Sequence, residues 1–481
     1  MTENVQHSTP EQDRIPLNQK VAFGIGMLAN QLFPAALSIF MVVLVQGLGM
    51  SPILWGLIFF LPKLLDAIVD PLMGYLTDNT KSRWGRRRPY IFIGAIVSGL
   101  SYMMMWQLSA DNGQMYNFYY FLGWSMVFFL GLTIFAVPYV AMGYEMSNDF
   151  HERTRLMATA QWLGQWAWVI APWFWIILYD PEWFESAAEG ARTLSIWVGL
   201  VCMLLAMVPA VFCRDTSSAP DETEGEAEQQ TLKQRMQELF GGIAVTLKCK
   251  PFQKVCLATF LIYNAFMAVA GFSWFIIVYY MHGGDPGLAG KWPTLFGSVS
   301  ALCTCFLVIP IVSKMAQTLG KTPAFLISQS ISIFGYVLFW WFFSPENPML
   351  MFIAIPLYAF GIGGLFTIMM SMTADICDLD ELQTGQRREG TFGAIYWLMV
   401  KFGLAFAGLL SGFILSAIGF DQSVAQQTEE TLSMLRLAYI AIPITGTVLA
   451  IFVMRNYDLD EQRATEIREQ LEARRSAVAA S

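Results

Sequence analysis

The chain has 481 residues, 55 % of them hydrophobic and 14 % charged, with a formal net charge of −8. An ordinary soluble domain is about 25 % charged, and a water-soluble fold of this length could not hide so much apolar surface. Those figures exclude a soluble enzyme, a disulfide scaffold, a disordered chain and a nucleic-acid binder, whose basic footprint an acidic chain lacks, and they leave a polytopic membrane protein.

Residues 1–19 are polar and contain no apolar core with a small-residue cleavage site, so no signal peptide is expected. From Val21 onward, runs long enough to cross a hydrocarbon layer at about 20 residues each recur at 21–46, 52–77, 90–109, 116–145, 156–178 and 193–213. A second set follows at 252–281, 292–313, 324–343, 348–375, 391–417 and 435–454. Between the sets, the acidic run DETEGEAE reads as a solvated linker. TLKQRMQELFGGIAVTLK after it reads as an amphipathic helix on the membrane surface. The expected organisation is an N-tail at 1–19, a six-helix bundle at 20–213, a linker at 214–251, a second six-helix bundle at 252–454 and a C-tail at 455–481.

With both termini placed in the cytoplasm, 24 of the 29 Lys and Arg fall on the inner side and three on the outer side, Arg192, Lys291 and Arg436. That bias sets the expected orientation. Two sets of six helices around a long inner linker is the layout of a secondary transporter, with its substrate site near mid-membrane between the repeats. GRRRPYIFI after the second helix and GKTPAFLI after the eighth are a short internal echo of such a repeat.

The seven cysteines lie in apolar runs or inner loops and are expected to be free thiols. His7, His151 and His282 do not cluster, and neither HExxH nor a phosphate loop ending in GK[ST] occurs. No nucleophile with its base is visible at one depth, so an enzyme is not expected, nor any cofactor.

The informative residues are ionisable or polar groups inside the runs. Asp66 and Asp70 in KLLDAIVDPLMG are one turn apart and share a helix face. Each intramembrane charge costs about 2.5–3.5 kcal/mol on insertion scales, so the pair implies a shared proton, a bound cation or a basic partner such as Lys63. Lys401, in the middle of YWLMVKFGLAFAG, is too deep to snorkel. It is expected to line a central cavity and to pair with the aspartates in one state. In the fifth run, Gln161 and Gln165 share a face beside Trp162 and Trp166. Amides beside flat rings suit polyhydroxylated ligands, whose hydroxyls hydrogen-bond and whose faces stack. Asn30, Gln31 and Asn264 are similar polar breaks. In the inner loops, Asp78 and Arg86 of TDNTKSRWGRRRPY, with Asp378 and Arg388 of ADICDLDELQTGQRREG, are candidates for salt bridges that gate the inner side.

DAIVDPLMGYLTDNTKSRWGRRRP, PYVAMGYEMSNDFHERTRL and ADICDLDELQTGQRREG together resemble the glycoside–pentoside–hexuronide:cation symporter family of the major facilitator superfamily, along essentially the whole chain. The resemblance implies an all-α membrane protein with twelve transmembrane helices in two halves, alternating access and cation-coupled sugar uptake. By it, Asp66, Asp70 and Thr133 match the family's cation site, Lys401 a lysine near cation and sugar, and Phe366 the place of a tryptophan near the sugar. The departures are Gln31 for a galactoside-binding aspartate, Asn30 for a lysine, Ala136 and Val140 in the fourth helix, and Gln161 for an arginine, so a galactoside such as melibiose is not the expected substrate. Val69 replaces an asparagine that could serve the ion. The coupling ion is expected to be H+ or Na+, the loss of that oxygen favouring the proton, which needs one carboxylate. The expected partners are a small sugar or glycoside and the lipid bilayer, with no nucleic acid. The carrier is expected in the plasma membrane, as in a bacterial inner membrane, and working as a monomer. The alternative is a cation-coupled carrier of an amphiphile such as a lysophospholipid, which shares this architecture.

Overall fold

The computed structural model describes residues 14–78, 80, 82–147, 150–214, 248–384, 389–421, 424, 426–459 and 461–480. Twelve long helices follow one another among them. The first six are α1 (Leu17–Gln46), α2 (Pro52–Asp78), α3 (Arg88–Met105), α4 (Gln114–Glu145), α5 (Phe150–Ile170, extended by a 3-10 turn and Phe174–Leu178) and α6 (Ala187–Phe212). Then come α7 (Lys250–Ala270, extended to Met281), α8 (Trp292–Leu302, continued to Leu319), α9 (Lys321–Phe342), α10 (Met351–Thr384), α11 (Glu389–Ala417) and α12 (Glu429–Met454). Ten of these are long and apolar enough to span a membrane. The other two, α3 and α5, begin on charged turns, with Arg88 in one and HERTR in the other. The acidic run and the amphipathic helix expected between the halves lie outside the described residues, apart from the last positions before α7.

Helix ends follow local chemistry. Pro89 and Pro251 sit in the first turns of α3 and α7, where a missing N–H costs nothing. Ser186 accepts from the Glu189 N–H at 3.3 Å, and Glu189 Oε2 accepts from the Glu185 N–H at 3.2 Å, so both ends of one short loop satisfy the start of α6. At its other end, the Arg88 guanidinium donates to the Ala210 and Val211 carbonyls at 2.5 and 2.9 Å, filling acceptors that α6 leaves open.

The chain divides into two compact units, Met1–Leu48 with Leu65–Lys233, and Gly49–Leu64 with Gln234–Ser481. Within the first, α1 packs on α5 and α6, and α3 on α4 and α6. Within the second, α7 packs on α11 and α12, and α9 on α10 and α12. The same pattern therefore appears twice. The sequence carries the repeat as well: QKV followed by asparagine at 19–30 and 253–264, and Arg87 and Pro89 against Lys321 and Pro323. The first part of α2 belongs to the second unit, where Gly56 lies against the Gly408 and Leu409 carbonyls of α11. Gly408 and Gly412 form the small-xxx-small spacing that lets helix backbones touch in a membrane.

A thirteenth helix, α13 (Glu461–Ala480), follows in the polar tail. Ala464, Ile467 and Leu471 form an apolar stripe along it, and the last two join the core that contains Ile376 and Cys377 near the end of α10.

In the first unit, Glu152 at the start of α5 is only 2 % exposed, although it precedes the expected span. It accepts from the Ile15 N–H at 3.0 Å and pairs with Lys20 at 2.6 Å and Arg155 at 3.3 Å, tying the segment before α1 to α5. Burial alone would raise its pKa. The Lys20 and Ile15 hydrogen bonds and the Lys20 charge outweigh burial and hold the carboxyl below its ordinary value of 4.5. A depressed folded pKa contributes stability above the unfolded value that is lost as pH falls through the folded one. Glu152→Gln is expected to cost about 3 kcal/mol at neutral pH, since it leaves the Lys20 ammonium half of a buried pair. Melting of detergent-solubilised protein should show the gap to the wild type at pH 7 and its narrowing as the pH falls below the ordinary carboxyl value of 4.5. A gap that does not change with pH would assign the loss to packing alone.

Candidate functional site

Asp66 is 8 % exposed on α2. The buried Thr133 on α4 donates its hydroxyl to Asp66 Oδ1 at 2.5 Å. Asp70 is half-buried one turn later, and Lys63 half-buried one turn earlier. On the other side of this helix Ile68 is 62 % exposed, and Leu72 and Leu76 are exposed as well. α2 thus turns its carboxylates inward and its aliphatic side chains outward, the arrangement of a helix whose charges serve the bundle interior. Asp66 and Asp70 share one face of α2 a turn apart, and the Thr133 hydroxyl ties Asp66 to α4.

On α5, Ala160, Gly164, Ala167 and Ala171 are buried, the spacing of one helix face. At Gly164 a Cβ would fall 2.7 Å from Met27 Cγ and 3.3 Å from Gln31 Cγ, so α1 lies directly on this glycine. Gln161 and Gln165 flank that contact, and Trp168 continues their stripe one turn further. The Trp168 indole N–H donates to Gln31 Oε1 at 3.2 Å. Trp162 and Trp166, in an edge-to-face contact at 6.0 Å, sit on the next stripe, turned away from α1 and exposed. Asn30 donates to Met27 Sδ at 3.8 Å. Sequence reasoning missed Trp168, although its spacing from Gln161 and Gln165 was there to read.

In the second unit, Phe366 of α10 is stacked on Trp397 of α11 at 6.2 Å and meets Tyr263 of α7 edge-on at 5.4 Å. Lys401 is half-buried one turn after Trp397. Asn264, the repeat counterpart of Asn30, has a buried amide oxygen without a hydrogen bond. It borders an apolar groove of about 230 Å³ lined by Phe260, Phe406, Leu409, Leu410 and Phe413.

The loop charges pair differently from the expected set. Arg86 reaches Glu145 Oε1 at 2.7 Å, and Arg87 Nε reaches Oε2 at 2.8 Å with a second bond to Oε1. Their partner is the end of α4. Lys321 at the start of α9 pairs with Asp375 of α10 at 2.5 Å. The two pairs are repeat counterparts: loop base with fourth-helix acid, and MGYE matches MTAD. Asp378 is half-buried on α10, Asp78 ends α2, and Arg388 lies outside the described residues. Arg87, Glu145, Lys321 and Asp375 had not been singled out.

The family model described as MFS/sugar transport protein matches residues 22–461. Among curated relatives, "Uncharacterized symporter YnaJ" of Bacillus subtilis (strain 168) is 24 % identical over 96 % of both chains. The "Glucuronide carrier protein homolog" of Escherichia coli (strain K12) is 24 % identical over 93 % of both chains. The "Isoprimeverose transporter" of Lactiplantibacillus pentosus is 21 % identical over 98 % of this chain and 95 % of that one. Among solved structures, an inward-facing, occupied bacterial homologue of the human lysosomal transporter Spinster aligns with a TM-score of 0.67 at 13 % identity, over 94 % of this chain and 98 % of that one.

Proposed function

The chain belongs to the MFS/sugar transport protein family, and from that premise we propose how its residues perform transport. It is a cation-coupled sugar symporter of the major facilitator superfamily, a multi-pass plasma-membrane carrier rather than an enzyme. The amphiphile reading is not favoured, because the relatives are named as symporters and sugar carriers.

The observation that supports a site for the ion is the Thr133–Asp66 hydrogen bond, which links α4 to an acid buried in α2. A proton or sodium ion at Asp66, Asp70 and Thr133 neutralises the pair, removing the cost of holding two like charges in a membrane helix. Asn30, Gln31, Gln161, Trp162, Gln165, Asn264, Phe366 and Lys401 are the residues assigned to sugar contact. Symport then requires that cation and sugar each favour the same set of states, a coupling of about 1–3 kcal/mol. Both termini lie inside, and Asp78, Arg86, Asp378 and Arg388 act as closing charges at that end, Arg86 through Glu145. The carrier works as a monomer.

De-energised cells expressing the protein are expected to alkalinise their medium when a transported glycoside, pentoside or uronide is added, and to stop doing so with Asp70→Asn. A sodium-dependent uptake with no pH change would make sodium the coupled ion. Absence of both signals across the panel would refute sugar symport.

A further inference from the structure

At the α1–α5 seam, Gln31 is held by a hydrogen bond from Trp168. An indole N–H can only donate, and an amide has a donor end and an acceptor end. With Trp168 Nε1 at 3.2 Å from Gln31 Oε1, the amide oxygen is engaged and the –NH2 end of Gln31 is left to face away from the indole. Gly164 beneath leaves room for this contact, because a Cβ there would fall 2.7 Å from Met27 Cγ and 3.3 Å from Gln31 Cγ. The surroundings are uncharged over a long stretch. α1 has no Asp, Glu, Lys or Arg from Val21 to Gln46, and α5 with its extension has none from Leu156 to Tyr179. Gln161 and Gln165 supply amides on the same stripe as Trp168, whose ring remains 37 % exposed.

Resting on the sugar-symport reading above, we infer that Trp168 is a positioning residue for an uncharged sugar subsite on the α1–α5 face, holding Gln31 so that its –NH2 group donates to a hydroxyl of a neutral pentose or hexose unit. Gln161 and Gln165 complete the donors and acceptors on the same stripe. A uronate carboxylate is disfavoured on this face: neither α1 nor α5 offers it a cation there, and hydrogen bonds from neutral amides do not offset the desolvation of a charge. The subsite thus favours the chemistry of neutral glycosides among the sugars that relatives of this chain are named for.

The test uses the full-length carrier in energised right-side-out vesicles with three labelled probes, isoprimeverose, methyl β-D-glucoside and methyl β-D-glucuronide. The neutral probes are expected to be taken up at least about tenfold more efficiently than the glucuronide. Trp168→Phe, which keeps an aromatic side chain and deletes the donor, is expected to raise the KM for the neutral probe about tenfold, the effect of one well-placed hydrogen bond, with Vmax within about twofold. Gln31→Leu should do the same, and the double variant should be no worse than Gln31→Leu alone, because the two act as one unit. A structural role would instead lower Vmax or the amount of folded carrier, or give additive losses, and either result overturns the assignment of Trp168. Glucuronide uptake equal to or above that of the neutral probes overturns the uncharged subsite and leaves sugar symport standing. No uptake of any sugar refutes the symport reading, and this inference with it.

Discussion

Asp66→Asn is expected to lower gradient-driven accumulation of sugar by about a hundredfold, the upper range of a site-to-site coupling, while sugar exchange across de-energised vesicles persists. Asp66 is nearly inaccessible and accepts a 2.5 Å hydrogen bond from Thr133, so Asn fits the space and removes only the charge. A permanently neutral group resembles the cation-loaded state and frees the carrier to exchange sugar, but it cannot take up and release an ion in each cycle. Thr133→Ala tests the same centre more gently. Removing a hydrogen bond to a charged group costs about 1.5–3 kcal/mol, so half-activation should need about tenfold more of the coupled cation. Thr133→Ser should behave like the wild type. Accumulation ratios beside counterflow rates separate the two behaviours. If Asp66→Asn still concentrates sugar, the ion binds elsewhere.

The acid pair was legible because membrane helices tolerate so few charges that every exception is conspicuous. KLLDAIVD announces itself in any apolar run, and the structure shows the consequence in the exposed Ile68 and Leu72 opposite Asp66 and Asp70. Thr133 was not legible by chemistry, since a threonine in a helix normally returns its hydroxyl to its own backbone. Only resemblance pointed to it. Arg86 was noticed for its charge, but its partner Glu145 is far away in sequence, and pairing across such a distance depends on how α3 meets α4. Arg88 was read only for its charge, whereas in the structure it closes the end of α6. Trp168 failed for another reason. Its run holds so many tryptophans that none stood out, and the choice among them is made by Gly164, which decides which side of α5 meets α1. Even the two-halved layout, plain from twelve runs and a linker, left open that the first part of α2 groups with the second unit. Hydropathy reports which segments leave water and is silent about which neighbour they choose.

The repeat makes a paired prediction about those neighbours. In the first unit Gly94 of α3 lies so close to α4 that a Cβ would fall 2.3 Å from the Phe135 nitrogen and 2.7 Å from its Cα. In the second unit Gly335 of α9 meets α10 in the same way, with the Tyr358 nitrogen at 2.4 Å and the Leu357 carbonyl carbon at 2.8 Å. The obstructing atoms are backbone in both places, so no rotamer change relieves them, and the helices must separate along their length. Lipid tails are as apolar as the side chains they would replace, so close packing is what holds such helices together. Gly94→Ala and Gly335→Ala are therefore each expected to cost about 3 kcal/mol, the upper range for overpacking, and to reduce folded carrier in the membrane severalfold or more. Gly123→Ala on α4 meets open space. It should be neutral or slightly stabilising, because alanine favours a helix by about 1 kcal/mol over glycine. Melting of the purified variants ranks the three. Equal losses at positions 94 and 335 would mean that both halves rest on the same crossing of third and fourth helices, while wild-type melting at either would show that helix pair able to part without consequence.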